Sequence, residues 1–100
     1  MTGAETIVND DRVIVKYVGV LDTKVAPEFG ELLNEAVDEN KDLEFDFSGL
    51  DYILSAGIRA IIAVCKKLKP NGKRIYITGT SKDVQDVLSM TGVDLIAYIT

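Results

Sequence analysis

The residues best suited to chemistry are one serine and three aspartates, Ser55, Asp22, Asp46 and Asp51. Each lies at or near the end of an apolar run with strand character. Carboxylates in such places could bind Mg²⁺ or accept a phosphoryl group. Ser55 precedes a long helical pattern, so its hydroxyl is predicted to be the N-cap of that helix. The positive end of the same helix would also favour a phosphate.

The rest of the composition argues against catalysis. The chain has no His, and its one cysteine, Cys65, lies inside an apolar helical pattern. The commonest general base is therefore missing, and no zinc spacing, Gly-rich phosphate loop or nucleophile elbow is present. Aspartates at strand ends usually serve in turns and caps. The sequence thus predicts a protein that is not an enzyme and has no cofactor or metal site. An aspartate-based phosphoacceptor or hydrolase is kept as a third interpretation.

Size and charge indicate the class of protein and of partner. One hundred residues, 47% of them hydrophobic and 27% charged, fit one globular domain over residues 1–100. The net charge of −5 argues against nucleic acid. Residues 1–51 carry 13 Asp and Glu against 4 Lys and Arg, whereas residues 52–100 carry 3 against 7. This asymmetry suits a protein partner with complementary charge, although two solvated faces would give the same pattern.

The sequence also predicts the compartment. Its first residues have neither the basic region nor the apolar core of a signal peptide. No run approaches the roughly 18 apolar residues of a membrane span. We therefore expect a cytoplasmic protein with no membrane span.

Strand and helix patterns alternate along the chain. Apolar, β-branched runs predict strands at residues 6–8, 13–20, 43–47, 74–78 and 95–99, the second of them covered on both faces. Helical spacing predicts a helix over 25–37, capped by Asp22 or Thr23, a second from Ser55 to a stop at 70–72, and a third from an N-cap at Ser81 to Gly92. A polar turn is expected between the strand ending at 47 and Ser55.

This order predicts an α/β fold. The first two strands should form a hairpin, and the later crossovers should give a mixed, mostly parallel sheet with three or four helices. Sites in such sheets lie at the carboxyl ends of the parallel strands. Residues 21–23, 47–55 and 79–81 should therefore meet at one edge. The order of the strands does not follow from the sequence.

Several motifs resemble a known family across nearly the whole chain. They are Gly19-Val20-Leu21-Asp22 before an acidic-faced helix, Phe-Asp-Phe-Ser-Gly-Leu at 45–50, Tyr-Ile-Leu-Ser-Ala-Gly-Ile-Arg at 52–59 and Leu-Ser-Met-Thr-Gly-Val at 88–93. In combination they resemble a bacterial STAS domain of the anti-sigma factor antagonist type.

The resemblance implies a binding module with a serine switch. Ser55 would be phosphorylated by an anti-sigma factor that is also a serine kinase, and restored by a metal-dependent serine/threonine phosphatase. The unphosphorylated form would bind the anti-sigma factor and so release a sigma factor for transcription. The partner-binding residues would be Asp22, Thr23, Ser48, Asp51, Tyr52, Leu54, Ala56, Gly57, Ile58 and Arg59.

Two further expectations concern the surroundings of Ser55. A phosphate there would lie beside the amides of Gly57 and Ile58, and Gly57 would permit close approach by a partner. Leu54 stands where many family members have Asp. This difference motivates the alternative function, a STAS subunit of a transporter or signalling assembly without a serine switch.

Overall fold

The chain begins with a β-hairpin. The computed structural model describes residues 3–100, in which β1 (Gly3–Val8) pairs antiparallel with β2 (Arg12–Leu21). The Asn9 N–H donates to the carbonyl of Arg12 at 2.9 Å and closes the turn. The predicted hairpin is confirmed, with a first strand longer than residues 6–8.

The remaining elements alternate as the sequence predicts. They are α1 (Ala26–Ala36), β3 (Asp42–Ile53), α2 (Ser55–Leu68), β4 (Ile75–Thr78), α3 (Lys82–Met90) and β5 (Tyr98–Ile99). The sheet order is β1-β2-β3-β4-β5, and β2 to β5 are mutually parallel. The α/β fold with a mixed sheet, an N-terminal hairpin and three α-helices is therefore confirmed.

One face of the sheet carries the core. Burial alternates along β2, where Val13, Val15 and Tyr17 are buried while Ile14 and Lys16 are only half-buried. The buried side chains join those of the three helices in one apolar cluster. The prediction that β2 is covered on both faces is therefore wrong. The sequence suggested it because β-branched residues occur on the open face of β2 as well as on its buried face.

The third strand is much longer than residues 43–47. It continues to Ile53, and no polar turn interrupts it. Leu50 and Ile53 remain in the core, and residues 49–53 pair with the end of β2 across two register shifts. Irregularities of this kind let a polar stretch stay in a ladder while its apolar residues turn inward.

Three helix ends follow the predicted signals, namely the ends of α2 and α3 and the start of α3. Gly72 and Gly92 are left-handed, with φ of 72° and 82°, after α2 and α3. Ser81 is the N-cap of α3, its hydroxyl accepting from Val84 N–H at 3.2 Å. The predicted strand over 95–99 is shorter, because Val93–Leu95 form a 3₁₀ turn and only Tyr98–Ile99 pair with β4.

The single cysteine lies on the inner side of α2. Cys65 is 3% exposed, and burial raises the pKa of its thiol to about 11. Within residues 3–100, no helix has both the length and the apolar character needed to cross a bilayer.

Candidate phosphorylation and partner-binding site

The three segments predicted to meet do meet at the carboxyl ends of the strands. The Leu54 N–H donates to the carbonyl of Leu21 at 2.8 Å. Gly79 packs so closely on Ser48 that a Cβ there would lie 2.9 Å from the Ser48 Cα. We call residues 21–23, 47–55 and 79–81 the carboxyl edge.

Ser55 is the first residue of α2, not its N-cap. Leu54 holds the N-cap position, with extended backbone and no side-chain cap bond, and its carbonyl accepts from Ile58 N–H at 3.1 Å. The N-cap prediction is wrong because the bond from Leu54 to Leu21 holds Leu54 in the sheet geometry up to the helix start. The Ser55 side chain is exposed.

The helix start presents backbone donors beside this hydroxyl. The N–H groups of Ser55, Ala56 and Gly57 precede the first intrahelical bond, which Ile58 N–H makes. Of the two amides expected beside a phosphate, those of Gly57 and Ile58, the Ile58 N–H is thus already bonded to the Leu54 carbonyl. The first turn of α2 carries no acidic residue, so its positive end is left for another anion.

The residues expected to bind a partner differ in exposure. Most are exposed, namely Thr23, Ser48, Asp51, Tyr52, Leu54 and Arg59, while Asp22 and Ala56 are half-buried. Ile58 is only 3% exposed and belongs to the core. Its side chain therefore packs inside the domain rather than facing a partner.

Gly57 also faces inward. A Cβ at this position would lie 3.0 Å from Ile53 Cγ1 and 3.1 Å from Leu21 Cβ. The expectation that Gly57 leaves room for a partner is wrong. The missing side chain instead allows α2 to approach the ends of β2 and β3.

Two of the aspartates are engaged with their own neighbours. Asp22 Oδ1 accepts from the N–H groups of Lys24 at 3.0 Å and Val25 at 3.1 Å, so it shapes the turn into α1, whose N-cap is Val25. Asp46 Oδ1 accepts from the Ser48 hydroxyl at 2.7 Å and the Ser48 N–H at 3.0 Å. The bond from the Ser48 hydroxyl, then that from its N–H, lowers the pKa of Asp46.

The aspartates do not assemble into an ion site in the part of the chain described. Residues 3–100 contain no group of three or more His, Cys, Asp or Glu side chains arranged to hold a metal ion. Asp22 and Asp46 act as local acceptors, as expected of turn residues.

The sequence predicted only part of an apolar surface beside Ser55, namely Tyr52 and Leu54. Val18, Val20, Tyr52 and Leu54 are all 36% to 43% exposed, and Val20 lies opposite Tyr52 in the ladder of β2 and β3. We call these four residues the apolar edge patch. Val18 and Val20 carried no signal, since a β-branched strand residue is ordinarily a core residue.

Known proteins resemble the chain over nearly all of its length. The family model described as STAS domain matches residues 4–99. The anti-sigma-B factor antagonist of Staphylococcus epidermidis is 30% identical over 96 residues, covering 95% of this chain and 89% of the relative.

Solved structures share the fold. An anti-sigma factor antagonist from Mycobacterium paratuberculosis superposes with a TM-score of 0.88 at 19% identity, covering 99% of this chain and 85% of that one. The Bacillus antagonist SpoIIAA in its unphosphorylated form gives a TM-score of 0.80 at 17% identity, covering 100% and 88%. Its phosphorylated form gives 0.71 at 16% identity, covering 100% and 91%. Because the matching family model spans the sheet and all three helices, the chain belongs to the STAS domain family.

Proposed function

We propose that this domain is an anti-sigma factor antagonist controlled by phosphorylation of Ser55. The observation that carries the proposal is an exposed hydroxyl on the first residue of α2, beside the exposed apolar residues Tyr52 and Leu54. The name of the staphylococcal relative supports an anti-sigma factor as the partner. The existence of SpoIIAA in phosphorylated and unphosphorylated forms supports a switch in this fold.

The unphosphorylated domain binds through the apolar edge patch. Its four side chains leave water when a partner covers them, at roughly 25 cal/mol per Å² of apolar surface. Thr23, Ser48, Asp51 and Arg59 form the exposed polar surroundings, as at the rim of a transient interface. Half-buried Asp22 and Ala56 contribute less surface.

A phosphate on Ser55 changes binding without unfolding the domain. It adds about −1.5 to −2 charge, which the free amides at the start of α2 accommodate favourably by about 0.3 to 1 kcal/mol. In a complex the same charge must lose water beside Tyr52 and Leu54 or face Asp51. A loss of only about 1.4 kcal/mol weakens binding tenfold.

The partners follow from this scheme. The anti-sigma factor is a serine kinase that transfers phosphate from ATP to Ser55, and binding of the unphosphorylated domain releases a sigma factor. A metal-dependent serine/threonine phosphatase hydrolyses the phosphoserine and restores binding. The domain itself catalyses neither step and acts in the cytoplasm.

The first test measures modification. Incubation with the cognate anti-sigma factor and ATP should add the mass of one phosphate to the parent protein and to Ser48→Ala, but not to Ser55→Ala. Ser48 is the matched control because it is an exposed hydroxyl at the same edge. Phosphate retained by Ser55→Ala would remove Ser55 from the proposal.

The second test measures binding and separates the alternative. Phosphorylated protein should bind the anti-sigma factor at least about tenfold more weakly than Ser55→Ala by calorimetry. Leu54 at the N-cap is the feature that favours an assembly subunit without a switch. If that alternative holds, the domain should bind its partner stably, and neither the parent protein nor its variants should gain a phosphate. Leu54→Asp should then not make Ser55 a phosphorylation site.

A further inference from the structure

A second surface lies at the opposite end of α2, where β4 begins. Two adjoining depressions there, of about 300 and 170 Å³, both have Lys69 and Ile96 in their walls. We call them together the basic groove. The 14 residues of α2 separate it from Ser55 by about 20 Å, at 1.5 Å per residue.

The groove is positively charged on an acidic protein. Four cations line it, Lys66, Lys69, Lys73 and Arg74, against one carboxylate, Asp94. Within residues 3–100 the ion pair present joins Arg12 to Glu44, so no salt bridge neutralises these cations. Lys66, in the last turn of α2, suits the negative end of the helix dipole. Lys73 and Arg74 lie beyond the helix, so the helix dipole does not account for their positive charges.

The same surface exposes large apolar side chains. Leu95 is 84% exposed and Tyr98 is 56% exposed, while Ile96 between them is half-buried. The 3₁₀ turn at Val93–Leu95 presents Leu95 outward while burying Val93. Exposed apolar residues with a charged rim are typical of a protein interaction site.

We propose that the basic groove binds an acidic segment of a partner protein that carries an apolar side chain to cover Leu95 and Tyr98. Charge complementarity favours an acidic occupant. The acidic face of α1, with Glu28, Glu31 and Glu35, exposes no large apolar residue. A second copy seated through α1 would leave Leu95 uncovered.

The test maps a defined probe onto the whole chain. A short synthetic peptide with Glu and Leu at helical spacing is titrated into isotope-labelled protein and followed by amide NMR shifts. The shifts should concentrate at Lys69, Lys73, Leu95 and Ile96. Substitution of Ser for Leu in the peptide, or Leu95→Ser in the protein, should weaken binding severalfold.

Matched charge variants separate the groove from net charge. Lys69→Glu with Lys73→Glu should weaken peptide binding at least about tenfold. Lys24→Glu with Lys82→Glu makes the same charge change at the carboxyl ends of the strands and should leave binding nearly unchanged. Far-ultraviolet circular dichroism checks that each variant folds.

Four outcomes would overturn the proposal. They are shifts centred on Ser55, equal loss in the two double variants, an oligonucleotide that binds more tightly than the peptide without needing Leu95, and self-association abolished by Lys69→Glu with Lys73→Glu. The last two would assign the groove to nucleic acid or to a second copy. None depends on whether Ser55 is phosphorylated.

Discussion

At the scale of single residues, two serines of the carboxyl edge, Ser48 and Ser55, differ in what their hydroxyls do. Ser48 is exposed but donates its hydroxyl proton to Asp46, whereas Ser55 begins a helix. The bond lowers the pKa of Asp46, so Asp46 prefers to remain charged in the folded protein. Ser48 therefore supports the end of β3, and Ser55 is the better candidate for modification.

The Asp46 and Ser48 pair predicts a pH dependence. Since the pKa of Asp46 is below its ordinary 3.8 in the folded state, the pair stabilises the fold above that pH and loses its effect as pH falls through the folded value. Ser48→Ala should lower the free energy of unfolding by roughly 0.5 to 1 kcal/mol at pH 7. The difference from the parent should shrink as pH falls below 3.8, measured by urea unfolding.

A control keeps this prediction specific. Ser89→Ala replaces another exposed serine and should give a pH-independent change. A Ser48→Ala deficit that persisted undiminished in acid would mean that Asp46 is not its source.

The sequence predicted which residues form the carboxyl edge, but not the exact helix position or the orientation of each one. The position of Ser55 at a helix start followed from the apolar pattern after it. Its displacement from the N-cap depends on the bond between Leu54 and Leu21, which joins residues far apart in the chain. The inward orientation of Gly57 depends on the same packing.

At the scale of elements, the turn after β4 is constrained by its neighbour. Gly79 has φ of 73°, and a Cβ there would lie 2.9 Å from the N, Cα and Cβ atoms of Ser48. Gly72, after α2, has nearly the same φ of 72° but open space around it. Substitutions at the two glycines therefore distinguish the cost of the left-handed conformation from the added cost of steric crowding.

This pair gives a matched prediction. Gly72→Ala should cost about 1 to 2 kcal/mol for the left-handed conformation alone. Gly79→Ala should cost more than that, because the backbone of β3 must also move. Chemical denaturation of the two variants measures both costs, and equal costs would show that the contact with Ser48 relaxes freely.

Element order was predictable because apolar periodicity and caps are local. The length of β3 was not, since Ser48, Gly49 and Asp51 are typical turn residues. They stay in the strand because Leu50 and Ile53 reach the core from it. The order of the strands likewise depends on contacts between distant segments.

At the scale of the whole molecule, stability depends on one apolar layer between the sheet and its helices. Phe45 is 0% exposed and lies between Phe29 and Phe47, with ring centroids 6.1 and 5.3 Å away. Phe29 in turn meets Tyr17 edge to face at 5.6 Å. These rings connect α1 with β2 and β3.

Loss of the central ring should therefore be severe. Phe45→Ala is expected to cost about 3 to 5 kcal/mol, a large part of the 5 to 15 kcal/mol typical of a folded domain. Met90→Ala, at a side chain 85% exposed, should change stability by less than about 0.5 kcal/mol. Thermal unfolding of both variants provides the comparison, and a mild Phe45→Ala would contradict the single-layer core.

The buried thiol on α2 makes the folded chain its own reporter of opening. At neutral pH Cys65 is both covered and protonated, with its pKa near 11, whereas an unfolded cysteine has a pKa of about 8.5. Thiolate is the form that reacts with alkylating reagents. Because the chain has no other cysteine, each alkylation event reports one opening of the structure that exposes Cys65, with no engineered label. Alkylation rates with and without a partner bound at the Ser55 end of α2 would then show how far that binding suppresses the opening.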